Sequence, residues 1–176
     1  MRGSSINIQL ASRYSDFMMP LEGIRVLDLS RILAGPHAAQ SLSDLGADVI
    51  KVEAPWGDDS RTWGPPFQKG FDGAEVASYF LSCNRGKKIV FANLKNERER
   101  VRSLMDTVDV VIENFKPGAF DRLLGPVNAD LIVCSISGYG QEGPRRDESA
   151  FDLTMQARSG IMSVTGEEGG PPAKVG

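Results

Sequence analysis

The feature that most constrains this chain is a strand–helix–strand unit near its start. "IRVLDLS" (24–30) is a short apolar strand, followed by a loop and by the helical pattern "GPHAAQSLSDLGA" (35–47). Pro36 suits the first helical position, Gly46 suits the left-handed stop, and Ala39, Leu42 and Leu45 line one helical face. "DVIKVEA" (48–54) is a second strand, and the right-handed crossover rule makes the three a βαβ unit with parallel strands. The alternation continues. "IVFANL" brings the chain back to the sheet, and "NERERVRSLMDTV" (96–108) is an amphipathic helix with Val101, Leu104, Met105 and Val108 facing inward. "DVVIENF" (109–115) is a strand, "KPGAFDRLL" (116–124) a short helix and "ADLIVCSISGYG" (129–140) another strand. "FDLTMQARSGIMSVTG" (151–166) starts as a helix and turns irregular at Gly160. The expected architecture is α/β, a mostly parallel, doubly wound sheet. Ligands of such sheets bind at the carboxyl ends of the strands, which selects residues 30–35, 53–56, 113–116 and 137–140.

Composition bounds the function classes. With 41% hydrophobic and 24% charged residues and a net charge of −3, nothing favours a nucleic-acid or membrane-surface partner. No apolar run approaches the roughly 20 residues that span a bilayer. At 176 residues the chain supports one core. Residues 1–18 read as a disordered or targeting extension, and residues 19–176 as one domain. Cys83 and Cys134 sit in apolar stretches and read as buried thiols of a reducing compartment, the cytoplasm or the mitochondrial matrix. The loop 55–73, rich in Gly, Pro and Trp, is too long for a plain connector and marks a functional segment.

A nicotinamide dinucleotide is the obvious ligand of a Rossmann-like sheet, with Glu53 about 23 residues after Ser30. The first βα loop argues against it: "SRILAGPHAAQ" carries one glycine, Gly35, where the phosphate fingerprint needs three. His37 is the only histidine, and no G-x-S-x-G elbow accompanies it, so no Ser-His-Asp triad is built. No Cys/His spacing resembles a metal site.

Seven stretches in order resemble the class III CoA-transferases, the CaiB/BaiF type that includes formyl-CoA transferase and succinyl-CoA:glutarate CoA-transferase. They are "MPLEGIRVLDLSRILAGP" (19–36), "LSDLGADVIKVE" (42–53), "GDDSRTWGPPF" (57–67), "NRGKK" (84–88), "VIENFKPGAFDRL" (111–123), "CSISGYGQEGP" (134–144) and "GIMSVTGEEGGPPAKVG" (160–176). The resemblance implies an acyl-CoA and a small carboxylic acid as substrates, coenzyme A as thioester rather than a resident cofactor, and an interlocked homodimer of two-domain chains. It implies a covalent route through an aspartyl anhydride and an enzyme thioester. In the family "KVG" is soon followed by the catalytic aspartate and by a second domain, so the resemblance implies that the nucleophile lies beyond Gly176 and that these 176 residues alone are inactive, or are a non-catalytic CoA-binding fragment. Asp147 and Asp152 do not match that aspartate, and Asp152 reads as structural at a helix start.

By the same resemblance, Leu33 and Ala34 contact the nucleotide, and Ala92, Asn93, Leu94 and Lys95 pass beside adenine and phosphates. Asn114, Phe115 and Lys116 follow the fourth strand, Arg122 reaches a phosphate, and Gly138 and Tyr139 flank the pantetheine path. Lys95, Lys116 and Arg122 are also the cations one would choose to oppose CoA phosphates. Two departures are visible. Ala54 stands where the formyl-CoA transferase type has an arginine, and "GPVN" (125–128) is short, so a helix before the next strand is expected to be missing. The α-methylacyl-CoA racemases share the architecture but use a histidine where this chain has Phe151, which cannot move a proton.

Overall fold

The computed structural model describes residues 18–70 and 73–176; the expected extension lies outside the described residues except for Met18. Five parallel strands form the sheet: β1 (Arg25–Asp28), β2 (Asp48–Glu53), β5 (Lys88–Phe91), β6 (Val110–Glu113) and β7 (Ile132–Ser135). Their order across the sheet is β5-β2-β1-β6-β7. The chain therefore builds outward from β1 in one direction, then reverses, and the switch point lies between β1 and β6. A separate two-stranded antiparallel hairpin, β3 (Phe67–Lys69) with β4 (Glu75–Ala77), grows out of the long loop after β2.

Helices cover both faces, and the pleat decides which residue meets which helix. Val26, Val49 and Ile112 pack on one face with Ala39 of α1 (Ala34–Asp44). Their neighbours Leu27, Ile50 and Val111 point the other way. They meet Val101 and Met105 of α3 (Arg98–Met105) and Phe120 and Leu124 of α4 (Ala119–Leu124). This is the doubly wound α/β sheet expected from the sequence. A five-residue helix, α2 (Ser78–Ser82), follows the hairpin, and α5 (Asp152–Ser159) ends at Gly160, whose φ of 81° is left-handed. A 3-10 turn at Ile161–Val164 follows it, and neither it nor α5 contains a buried residue. No helix intervenes between Leu124 and Ile132, as the short 125–128 segment suggested. Among the described residues no helix is long and apolar enough to cross a membrane.

Several local expectations need correction. The strands are shorter than their apolar runs; β7, for example, pairs only over Ile132–Ser135 because its single neighbour β6 ends at Glu113. Helix α1 begins at Ala34, so Pro36 is its third residue; its missing N–H costs nothing there, because the first turn has no intrahelical partners. Leu45 lies past the helix end and is largely exposed, although Gly46 takes the left-handed stop with φ 102°. Cys83 is buried, but Cys134 is exposed. It sits on an edge strand that no helix covers, as the 63% exposure of its neighbour Ile132 also shows.

Candidate functional site

The carboxyl ends of the five strands present their loops along one rim. Beneath it lies a feature the sequence reading missed. On the α1 face the inward residues change from apolar to ionic on the way up: Val26 then Asp28 on β1, Val49 then Lys51 and Glu53 on β2. The register sets Asp28 directly opposite Lys51. Lys51 and Asp28 have no exposed side-chain surface, and neither does Asp58 from the loop after β2.

Each charge in this cluster has a partner. Lys51 Nζ donates to the Ser30 carbonyl at 2.8 Å and lies 3.2 Å from Asp58 Oδ2 and 3.9 Å from Asp28 Oδ2. Lys87 Nζ spends its three protons on Asp28 Oδ2 (2.8 Å), the Pro36 carbonyl (2.8 Å) and Asn84 Oδ1 (2.9 Å). Arg61 forks onto Glu53 with two bonds of 2.7 Å, and its guanidinium lies 3.9 Å from the Phe80 ring centre. Three carboxylates thus face three cations, the arrangement in which buried charges are tolerated. Burial pushes the Asp58 carboxyl up, but hydrogen bonds from the Ser60 hydroxyl and N–H, with the charge of Lys51, hold it below its ordinary value. Burial lowers the Lys87 ammonium against the opposing pull of Asp28.

The cluster holds the first βα loop in an unusual shape. Ile32 has φ 72°, the only non-glycine residue with positive φ among the described residues, and β-branched side chains disfavour that region. Its N–H is held by both Asp58 oxygens at 3.2 and 3.4 Å. Ser30 hydrogen-bonds Asp28 through both its N–H and its hydroxyl, and Lys51 takes the Ser30 carbonyl. Gly35 completes the fit: a Cβ there would stand 2.2 Å from Ser30 Cβ. Across the switch point Asn114 clasps the same loop, accepting from Arg31 N–H at 2.9 Å and donating to its carbonyl at 2.8 Å.

On this base the residues singled out by resemblance take their places. Leu33 precedes α1 and is 44% exposed, and Ala34 opens the helix beside it. Ala92 is buried, its N–H bonded to the Glu53 carbonyl at 2.8 Å, and Asn93 and Leu94 are half-buried. Asn93 folds the turn into α3 by accepting from Lys95 N–H, which leaves the Lys95 side chain exposed. Lys116 is exposed, Phe115 half-buried against the core, and Arg122 exposed on α4. Gly138 follows β7, where a Cβ would fall 1.9 Å from Ala150 Cβ, and Arg158 stacks over the Tyr139 ring at 5.6 Å.

The structure brings Leu33, Ala34 and Asn114 together at the switch point and spreads the rest. Residues 92–95 follow one edge strand of the sheet and residues 138–139 follow the other. Five strands at ~4.8 Å spacing put those edges about 19 Å apart, so one ligand touches both only if it is elongated. Among the described residues, Lys95, Lys116 and Arg122 have no ion-pair partner. Ser137 Oγ, Tyr139 OH and Gln141 Nε2, at alternate positions after β7, are buried polar atoms without a hydrogen-bond partner.

A family description, CoA-transferase family III, matches residues 21–176. The chain belongs to CoA-transferase family III. Among its relatives, the succinate–glutarate CoA-transferase of Agrobacterium fabrum is 50% identical over 167 residues, which is 89% of this chain and 42% of that protein. The succinyl-CoA:glutarate CoA-transferase of Mus musculus is 46% identical over 170 residues, 92% of this chain and 38% of that one. A solved CaiB/BaiF family protein from Brucella suis superposes with a TM-score of 0.85 at 49% identity, over 90% of this chain and 44% of its own. This family III chain thus spans about two fifths of the length of the relatives it matches.

Proposed function

We propose that the rim is the coenzyme A-binding wall of a transferase that moves CoA from an acyl-CoA to a small carboxylic acid, with dicarboxylates as the substrate class. The observation that carries this reading is the rim itself. It is an elongated edge with a free cation, Lys95, after the edge strand β5, two more, Lys116 and Arg122, after β6, and a tightly hydrogen-bonded loop at the switch point, matched to an elongated, multiply phosphorylated ligand. The relatives named for succinate and glutarate support the dicarboxylate class. In this reading Leu33, Ala34, Asn114 and Phe115 meet the nucleotide, residues 92–95 and Lys116 and Arg122 oppose its phosphates, and Gly138 and Tyr139 guide the pantetheine arm.

The chemistry is exchange at a thioester. A carboxylate attacks the acyl carbonyl, the C–S bond breaks, and CoA leaves as thiolate from a mixed anhydride. The thiolate then attacks the enzyme's own carbonyl of that anhydride, freeing the donor acid and leaving an enzyme thioester. The acceptor carboxylate repeats both steps in reverse. Coenzyme A is substrate throughout, and no resident cofactor takes part. None of the 176 residues is assigned as the nucleophile: Asp152 opens α5 and accepts a 2.7 Å bond from Gln156, a structural role. The aspartate is placed beyond Gly176, the complete enzyme is a homodimer, and the 176-residue chain binds CoA without transferring it.

Calorimetric titration of the 176-residue chain with CoA tests the reading, with Lys95→Ala alongside. Saturable binding that weakens several-fold in the variant is expected. A folded sample that takes up no CoA would refute it.

A further inference from the structure

Ile32 turns the chain from the end of β1 toward α1, and its φ of 72° is one that a β-branched residue keeps only when its surroundings enforce it. The grip comes from other loops. Asn114, after β6, bonds the Arg31 N–H and carbonyl, and both Asp58 oxygens accept from the Ile32 N–H at 3.2 and 3.4 Å. Asp58 is itself fixed in place. Its own N–H donates to Glu53 Oε2 at 2.8 Å, and Ser60 donates to its Oδ1 through N–H (3.0 Å) and hydroxyl (2.7 Å). A glycine would take this turn without steric cost. Isoleucine needs a partner that favours it, and the one facing its N–H is Asp58. The turn sets where the next two residues leave the sheet, and Leu33 emerges from it 44% exposed on the rim.

We infer that Asp58 is a positioning residue for the coenzyme: buried beneath the rim, it holds the left-handed turn at Ile32 and so aims Leu33 and Ala34 at the nucleotide. The inference rests on the coenzyme reading above and adds to it a residue that touches no ligand, since Asp58 is 3% exposed. A carboxylate beneath a wall that receives phosphates would repel them. Lys51, 3.2 Å from Asp58 Oδ2, cancels that charge, so the carboxylate can hold the turn without the repulsion. Without the bond to Asp58, residue 32 falls back toward negative φ. CoA then binds tightly only to the fraction of chains in which the turn is present, and its apparent affinity drops by that fraction.

The test is calorimetric titration of CoA into the 176-residue chain and its variants, each first shown to be folded by circular dichroism. Asp58→Ala removes the acceptor and is expected to weaken CoA binding by about tenfold. Asp58→Asn keeps an acceptor for the Ile32 N–H and should stay within about threefold of the unsubstituted chain. The deciding variant is Asp58→Ala/Ile32→Gly. Glycine adopts the turn unaided, so CoA affinity should return to within about threefold even though the stability lost with the Lys51 pair does not. A merely structural Asp58 would give no such rescue. Ile32→Pro works from the other side: it leaves every charge of the cluster in place, offers Asp58 no N–H and locks φ near about −65°. It should weaken CoA as Asp58→Ala does, and it decides alone where Asp58→Ala does not fold. CoA binding unchanged in Ile32→Pro, or an Asp58→Ala loss that Ile32→Gly fails to reverse, would overturn the inference and leave the coenzyme reading standing. An unsubstituted chain that binds no CoA would strike down both.

Discussion

Replacing Lys51 by methionine tests whether the buried ion cluster holds the rim in shape. The side chain has no exposed surface, and its ammonium lies 3.2 Å from Asp58 and 3.9 Å from Asp28. Methionine fills most of the same space, so the cost is electrostatic rather than a cavity. It leaves Asp58 without its cation, Asp28 with Lys87 alone, and the Ser30 carbonyl without its 2.8 Å donor. Removing one member of a buried ion pair costs ~3–5 kcal/mol, a large share of the 5–15 kcal/mol that stabilises a domain. With a urea slope of about 2 kcal/mol/M, the denaturation midpoint should fall by roughly 2 M. The double variant Lys51→Met/Asp58→Asn separates the charge from other causes. Asparagine keeps an acceptor for the Ile32 N–H but removes the orphaned charge, so the double should be less damaged than the sum of the singles by about 1 kcal/mol or more. A midpoint shift under about 0.5 M for Lys51→Met, or additivity within ~0.5 kcal/mol, would refute the reasoning.

Two further perturbations act on the same base. Gly35→Ala places a methyl 2.2 Å from Ser30 Cβ, which is pinned by Asp28 and Lys51, so thermal denaturation should show a loss of about 1–3 kcal/mol; an unchanged melting temperature would mean that the loop gives way. Because the Asp58 carboxyl is held below its ordinary value of 3.8, its contribution is complete above that pH and is lost as pH falls toward the folded value. Urea titrations between pH 5 and 2 should therefore show a shallower loss of stability in Asp58→Asn than in the unsubstituted chain, and parallel curves would contradict the assignment.

The fold was legible because its strands are apolar runs separated by helical patterns and glycine stops, a signal that survives errors of two or three residues at each boundary. The failures have physical causes. Cys134 was read as buried because its run is apolar, but an edge strand with one neighbour and no covering helix leaves such a residue in solvent. The β3–β4 hairpin went unseen, β3 inside the segment 55–73 read as loop and β4 just past it, since three-residue strands carry too little alternation to be seen. The ion cluster was missed for a subtler reason. In "VLDLS" and "VIKVE" the charges looked like interruptions of apolar strands, and only the pairing of β1 with β2 sets Asp28 beside Lys51. A usable signal was present: a strand buried on both faces cannot carry a lone inward lysine, so Lys51 demanded a buried acidic partner.

The central claim is that coenzyme A lies along the carboxyl ends of the strands. Amide chemical shifts of the isotopically labelled chain, recorded as CoA is added, test it most directly. The account predicts that the perturbed amides cluster at Leu33, residues 92–95, residues 114–118 and Gly138 to Gly140, with the amino-terminal edge at Arg25, Asp48 and Val110 unmoved. Shifts centred on that opposite edge, or spread evenly over the sheet, would contradict it.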